Sequence, residues 1–73
     1  ALGCVIRGET AHFELIANEA TRALMQIGLA TEVPVTNGVL ACENESQAMA
    51  RAGGEHGNKG SEAADAVLDL IGV

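Results

Sequence analysis

Among the side chains able to do chemistry, Thr10 and His12 stand close together in Arg7-Gly8-Glu9-Thr10-Ala11-His12-Phe13. An imidazole titrates near neutrality and can move a proton in either direction. Its neighbours supply the other half of a reaction centre. Gly8 permits a turn, and the N–H groups that open a helix lack intrahelical partners. They sit at the positive end of the helix dipole, which suits an oxyanion or a phosphate. Thr10 can cap the helix or bind that anion. The pattern fits proton transfer on a phosphorylated substrate, although the same joint is also a plain connection in many α/β proteins.

Such a centre needs a strand before it and a helix after it. Ala1-Leu2-Gly3-Cys4-Val5-Ile6 is apolar without alternation, the pattern of a parallel strand buried on both faces. Apolar residues then recur at Phe13, Ile16, Ala17, Ala20, Leu24 and Ile27, one face of a helix from about Ala11 to Ala30. Gly28 weakens its last turn, and Val33-Pro34 ends the connection. Val35–Cys42 has two readings. Asn37-Gly38 between apolar flanks signals a tight hairpin, but each arm would be short. The alternative is one parallel strand in which Gly38 admits a close approach. Strand, helix and parallel strand make a right-handed βαβ unit, and the parallel strand is adopted on that ground.

Asn44 and Gln47 form a capping pair for a short helix from Glu45 to Ala52, which Gly53-Gly54 stops. Gly53–Gly60 reads as a glycine-rich loop without Walker spacing. A last helix starts near Asn58, with Ala63, Ala64, Val67, Leu68 and Ile71 as its apolar stripe. Lys59 is an odd cation at a helix start. The misfit implies a partner, either Glu62 or a ligand, with plain solvent exposure as the alternative.

With 73 residues the chain is one small domain at most, and a chain of this size buries only about 60% of its unfolded surface. A single Phe and no Tyr or Trp leave the interior to aliphatic side chains. Ten acidic against four basic residues give a net charge of −6, which makes nucleic acid a poor candidate partner, and none is expected. No segment has the about 20 apolar residues of a membrane span, so no membrane partner is expected. Cys4 and Cys42 lie in apolar runs as buried thiols, which fits a reduced, cytoplasmic setting. The first residue is not Met and stands inside an apparent strand. Two parallel strands leave an open edge, so the chain reads as part of a larger fold, or as half of a split or cleaved one.

Other constellations are weaker. Cys4, His12, Cys42 and His56 have no zinc-ligand spacing, and no metal is expected. A Cys4–His12 nucleophile pair needs an accessible thiol, which a mid-strand residue would lack. His56 reads as exposed, and Met25 and Met49 as core. Arg51, in the last turn of the short helix, has a favourable dipole contact as its local role.

Gly3-Cys4-Val5-Ile6-Arg7-Gly8-Glu9-Thr10-Ala11-His12-Phe13 resembles the signature of the 6,7-dimethyl-8-ribityllumazine synthases, enzymes of riboflavin biosynthesis. The likeness continues through Pro34-Val35-Thr36-Asn37-Gly38-Val39-Leu40, Glu45-Ser46-Gln47-Ala48, Arg51-Ala52-Gly53 and Gly57-Asn58-Lys59-Gly60-Ser61-Glu62-Ala63-Ala64. It runs in order along essentially the whole chain.

The resemblance implies an α/β fold: a flavodoxin-like three-layer α/β/α sandwich with a parallel sheet. Only its C-terminal β-α-β-α-α part would be present. The implied reaction condenses 5-amino-6-(D-ribitylamino)uracil with 3,4-dihydroxy-2-butanone 4-phosphate, without metal or organic cofactor. The backbone of Glu9 and Thr10 would hold the phosphate, joined by Arg51 of an adjacent subunit, and His12 would move protons. Cys4, Val5 and Ile6 would line the pyrimidine pocket at the carboxyl end of the strand. Lys59 and Glu62 would lie near the neighbouring site. Asn37 stands where many relatives carry an aromatic residue on the pyrimidine ring, and it cannot stack in that way. The family's N-terminal half, which supplies further substrate contacts, is a required partner, so these residues alone would be inactive. The implied assembly is a homopentamer or a shell of pentamers. The alternatives are a non-catalytic assembly element and a generic phosphate-binding fragment.

Overall fold

The computed structural model describes residues 1–73. The elements run β1 (Leu2–Ile6), α1 (His12–Thr31), β2 (Gly38–Cys42), α2 (Glu45–Arg51), β3 (Ala52–Gly54), β4 (Gly57–Asn58) and α3 (Lys59–Leu70). β1 and β2 pair in parallel from Leu2↔Gly38 to Ile6↔Cys42, with α1 as the crossover. The ladder extends at both ends. Gly38 N–H donates to the Ala1 carbonyl at 2.7 Å, and Arg7 N–H donates to the Cys42 carbonyl at 2.9 Å.

That pairing decides the reading of Asn37-Gly38. Asn37 Oδ1 accepts the Val39 N–H at 2.8 Å, so the carboxamide folds onto the start of β2 instead of opening a hairpin. Gly38 is needed for proximity. A Cβ there would meet Leu2 Cδ2 at 2.7 Å, the Ala1 carbonyl at 3.0 Å and Ala63 Cβ at 3.2 Å.

Helix ends follow their local chemistry. α1 runs through Gly28 and stops at Thr31, followed by Glu32 in the left-handed region at φ 56°. Asn44 accepts the Gln47 N–H at 2.8 Å, while Gln47 Oε1 accepts the Glu43 N–H at 2.8 Å. This is a reciprocal cap of the expected kind, shifted by one donor. Asn58 caps α3 by accepting the Ser61 N–H at 2.9 Å. The expected Gly53–Gly60 loop is instead a small antiparallel hairpin, β3 with β4. Gly53 and Gly57 take its positive φ values, 112° and 81°. The fold is therefore β-α-β-α followed by this hairpin and α3, not β-α-β-α-α alone.

α1 lies against both long strands, and α2 and α3 lie against β2. Only four residues are buried: Gly38, Cys42, Ala48 and Ala63. They form a thin seam along β2. The accessible surface of 5130 Å² exceeds the roughly 4,200 Å² of a compact protein of this mass. The radius of gyration, 13.3 Å, exceeds the expected value of about 11 Å.

Burial therefore departs from the sequence reading. β1 is not covered on both faces: Leu2 is 73% exposed and Cys4 is exposed. β1 has a hydrogen-bonded neighbour on one side only, and a two-stranded sheet is too narrow a platform for the helices. For the same reason Ile16, Ile27, Leu68 and Ile71 lie outside the packed face, and Met25 and Met49 are exposed rather than core. The half-buried face of α1 is Phe13, Ala17, Ala20, Leu24 and Gly28.

Candidate functional site

The elbow between β1 and α1 is built from the end of one ladder and the start of the next. Past Arg7, whose N–H closes the β1–β2 ladder, the N–H groups of Gly8, Glu9, Thr10 and Ala11 have no partner within the chain. Thr10 does not hold the cap position itself. Ala11 does, and it supplies no side-chain cap. Thr10 Oγ1 accepts the His12 N–H at 3.3 Å, which leaves the amides before it open. Four consecutive free donors at the positive end of a 20-residue helix make a local environment that favours an anion.

His12 is exposed and shares a hollow of about 350 Å³ with Val5, Ile6, Gly8, Thr10, Phe13 and Ile16. His12, Thr10 and the carboxyl end of β1 therefore border one space. Of the residues expected around a pyrimidine, Val5 and Ile6 line it and Cys4 does not. Glu9 is exposed at the elbow without lining the hollow.

A second hollow of about 540 Å³ runs along β2 and gathers Asn37, Arg51, Lys59 and Glu62. Arg51 Nη1 donates to the Gln47 carbonyl at 3.0 Å, bonding back onto its own helix. Lys59 Nζ lies 3.5 Å from Glu62 Oε2, so the cation at the start of α3 has one of its two candidate partners one turn on while its side chain stays half exposed. Asn37 is engaged within the chain, its Nδ2 donating to Thr21 Oγ1 at 3.4 Å and its Oδ1 holding β2. The two hollows share no residue. Within one copy the elbow residues and the Arg51–Lys59–Glu62 group line different hollows.

Arg7 is a feature that sequence reasoning passed over. Its guanidinium lies 3.8 Å from Glu14 and 3.6 Å from Glu43, and 5.2 Å from the centre of the Phe13 ring. The available signal was scarcity, since only four basic residues occur in the chain. His56 is exposed in the hairpin turn, 3.5 Å from Glu55. No three His, Cys, Asp or Glu side chains gather as metal ligands, and no helix is long and apolar enough to cross a membrane.

Comparison with known proteins bears on the whole chain. The family profile described as 6,7-dimethyl-8-ribityllumazine synthase matches residues 1–73. A protein of that name from Xanthomonas campestris pv. campestris (strain B100) is 56% identical over 73 residues, which is all of this chain and 47% of the relative. One from Azorhizobium caulinodans is 55% identical over 71 residues, 97% of this chain and 44% of the relative. One from Bdellovibrio bacteriovorus is 49% identical over 73 residues, again all of this chain and 41% of the relative. The chain spans about half the length of the relatives it matches.

Proposed function

The chain belongs to the 6,7-dimethyl-8-ribityllumazine synthase family, and from that premise we propose that it carries the phosphate-binding and proton-transferring part of a lumazine synthase site. Its parallel strand pair with flanking helices is part of a flavodoxin-like α/β layer. The proposed reaction joins 5-amino-6-(D-ribitylamino)uracil to 3,4-dihydroxy-2-butanone 4-phosphate, releasing water and inorganic phosphate. It needs no metal or organic cofactor. The observation that carries this reading is the row of unpartnered amides from Gly8 to Ala11 beside the exposed imidazole of His12.

Each residue then has a physical task. In this reading the Glu9 and Thr10 N–H groups bind the phosphate, and the Glu9 carboxylate points away from it. His12 moves protons as the amine adds to the ketone and as phosphate departs. Val5 and Ile6 give the pyrimidine an apolar wall. Cys4 and Asn37 stay assigned to the pyrimidine side, and because a carboxamide cannot stack as an aromatic ring does, stacking on the pyrimidine falls to another residue, such as one in the family's N-terminal half. Arg51, supported by Lys59 and Glu62, completes the phosphate site from an adjacent copy. That sharing is supported by Arg51 and His12 lining different hollows within one copy.

The assembly proposed is a homopentamer or a multiple of it in the cytoplasm, together with the N-terminal half that the family possesses. Thirteen large apolar residues exposed in the lone chain give such partners abundant surface to cover. The test is to supply the assembled protein with both substrates and follow lumazine and phosphate release. Equal yields of both products are expected. Phosphate binding without lumazine formation would assign the elbow to another phosphorylated substrate.

A further inference from the structure

Arg7 is the only basic side chain in the elbow, and its surroundings are acidic. Glu9 follows two residues later, Glu14 stands in the first turn of α1, and Glu43 stands at the exit of β2. An anion approaching the amides of Gly8–Ala11 meets those carboxylates as well as the helix dipole. The Arg7 guanidinium lies between two of them, with Nη1 3.8 Å from Glu14 and Nε 3.6 Å from Glu43. Two further contacts bear on its position. The Phe13 ring lies 5.2 Å away beneath the guanidinium carbon, and the Arg7 N–H is fixed to the Cys42 carbonyl at 2.9 Å.

Resting on the function proposed above, we infer that Arg7 is a positioning residue for the phosphorylated substrate. It masks Glu14 and Glu43 and clips the elbow to the end of β2. Both pairs are partly exposed and longer than hydrogen bonds, so they add little to stability. Their effect is on the local potential. Without the guanidinium, two carboxylates beside the anion cradle are unscreened, and the segment bearing the free amides loses its tie to Phe13 and Glu43. Lysine in its place would keep the charge but not the planar fork that bridges two carboxylates over a ring.

The experiment uses the assembled protein and measures KM for each substrate and inhibition by inorganic phosphate. Arg7→Ala is expected to raise KM for the phosphorylated ketone about tenfold and weaken phosphate inhibition in parallel. KM for the pyrimidine should stay within about twofold. Adding Glu43→Gln to Arg7→Ala should recover much of the loss, and Arg7→Lys should fall between. A packing role would not yield rescue by removal of a carboxylate. If Arg7→Ala fails to assemble, Glu43→Gln alone decides, since it should tighten phosphate inhibition. An unchanged KM for the ketone in Arg7→Ala overturns the inference. So does a double variant no better than the single, or weaker phosphate inhibition in Glu43→Gln. If the unaltered protein forms no lumazine, the function proposed above fails, and phosphate binding by the same variants still tests Arg7.

Discussion

Gly38 sits against Leu2 so tightly that a methyl group on Gly38 would come within 2.7 Å of Leu2 Cδ2. The same methyl would lie 3.0 Å from the Ala1 carbonyl and 3.2 Å from Ala63 Cβ, so β1, β2 and α3 converge on one hydrogen atom. Leu2 can turn away, but the carbonyl belongs to a backbone whose position the Gly38 N–H bond fixes at 2.7 Å. Gly38→Ala should therefore destabilise the protein by about 1–3 kcal/mol, the usual cost of overpacking. Urea denaturation of the assembled protein measures it, and an unchanged midpoint would mean that the three elements separate freely.

The two asparagine caps give a second prediction. Asn44 closes α2 and Asn58 closes α3, each by accepting one N–H three residues on. Replacing either by alanine should cost about 0.5–2 kcal/mol, and by serine much less. Asn58 also belongs to β4, which leads directly into Lys59 and Glu62, so its loss should disturb the second hollow as well. Thermal melts of the four variants, with Arg51-dependent activity as a local readout, distinguish the two positions.

The Asn44 cap and the Lys59–Glu62 pair were legible in the sequence because each is decided within four residues. The parallel pairing of β1 and β2 was legible through βαβ connectivity, although Asn37-Gly38 taken locally favours a hairpin equally. Burial was not legible in the same way. A run such as Leu2-Gly3-Cys4-Val5-Ile6 records that two faces are suited to cover, not that this chain contains the cover. Ile16, Ile27, Met25 and Met49 follow the same logic, since periodicity defines a stripe while the width of the opposing sheet decides how much of it is used. The β3–β4 hairpin was hidden by composition, because glycine at 53, 54 and 57 carries no strand signal. Arg7 was missed because its partners at 13, 14 and 43 come together only once the elbow is folded.

His12 supplies the third prediction. It is exposed and lines the elbow hollow, so it can be replaced without opening a packed interior. His12→Asn should leave both KM values within a few fold and reduce turnover about 10²- to 10⁴-fold, the range for removing a positioned acid–base group. Steady-state kinetics with both substrates give the split. A rise in KM for the phosphorylated ketone at unchanged turnover would instead make the imidazole an anion ligand.

The arrangement of the two hollows leads to the last prediction. His12 and Thr10 lie in one, Arg51 in the other, and no residue is common to both. If a working site needs both groups, it must join the elbow of one copy to the β2 hollow of the next. An assembly of His12→Ala subunits contains no complete site, and neither does one of Arg51→Ala subunits. Unfolding and refolding the two together makes mixed assemblies of the proposed homo-oligomer. In these, an elbow with intact His12 can meet a neighbour with intact Arg51, which for random head-to-tail mixing restores about a quarter of the sites. Activity should therefore reappear on mixing, rising with the refolded fraction and absent when each variant is refolded alone. A site completed within one copy forbids that outcome, because every subunit would still carry one defect. Persistent inactivity of properly mixed assemblies would return Arg51 to its local role of bonding back to the Gln47 carbonyl.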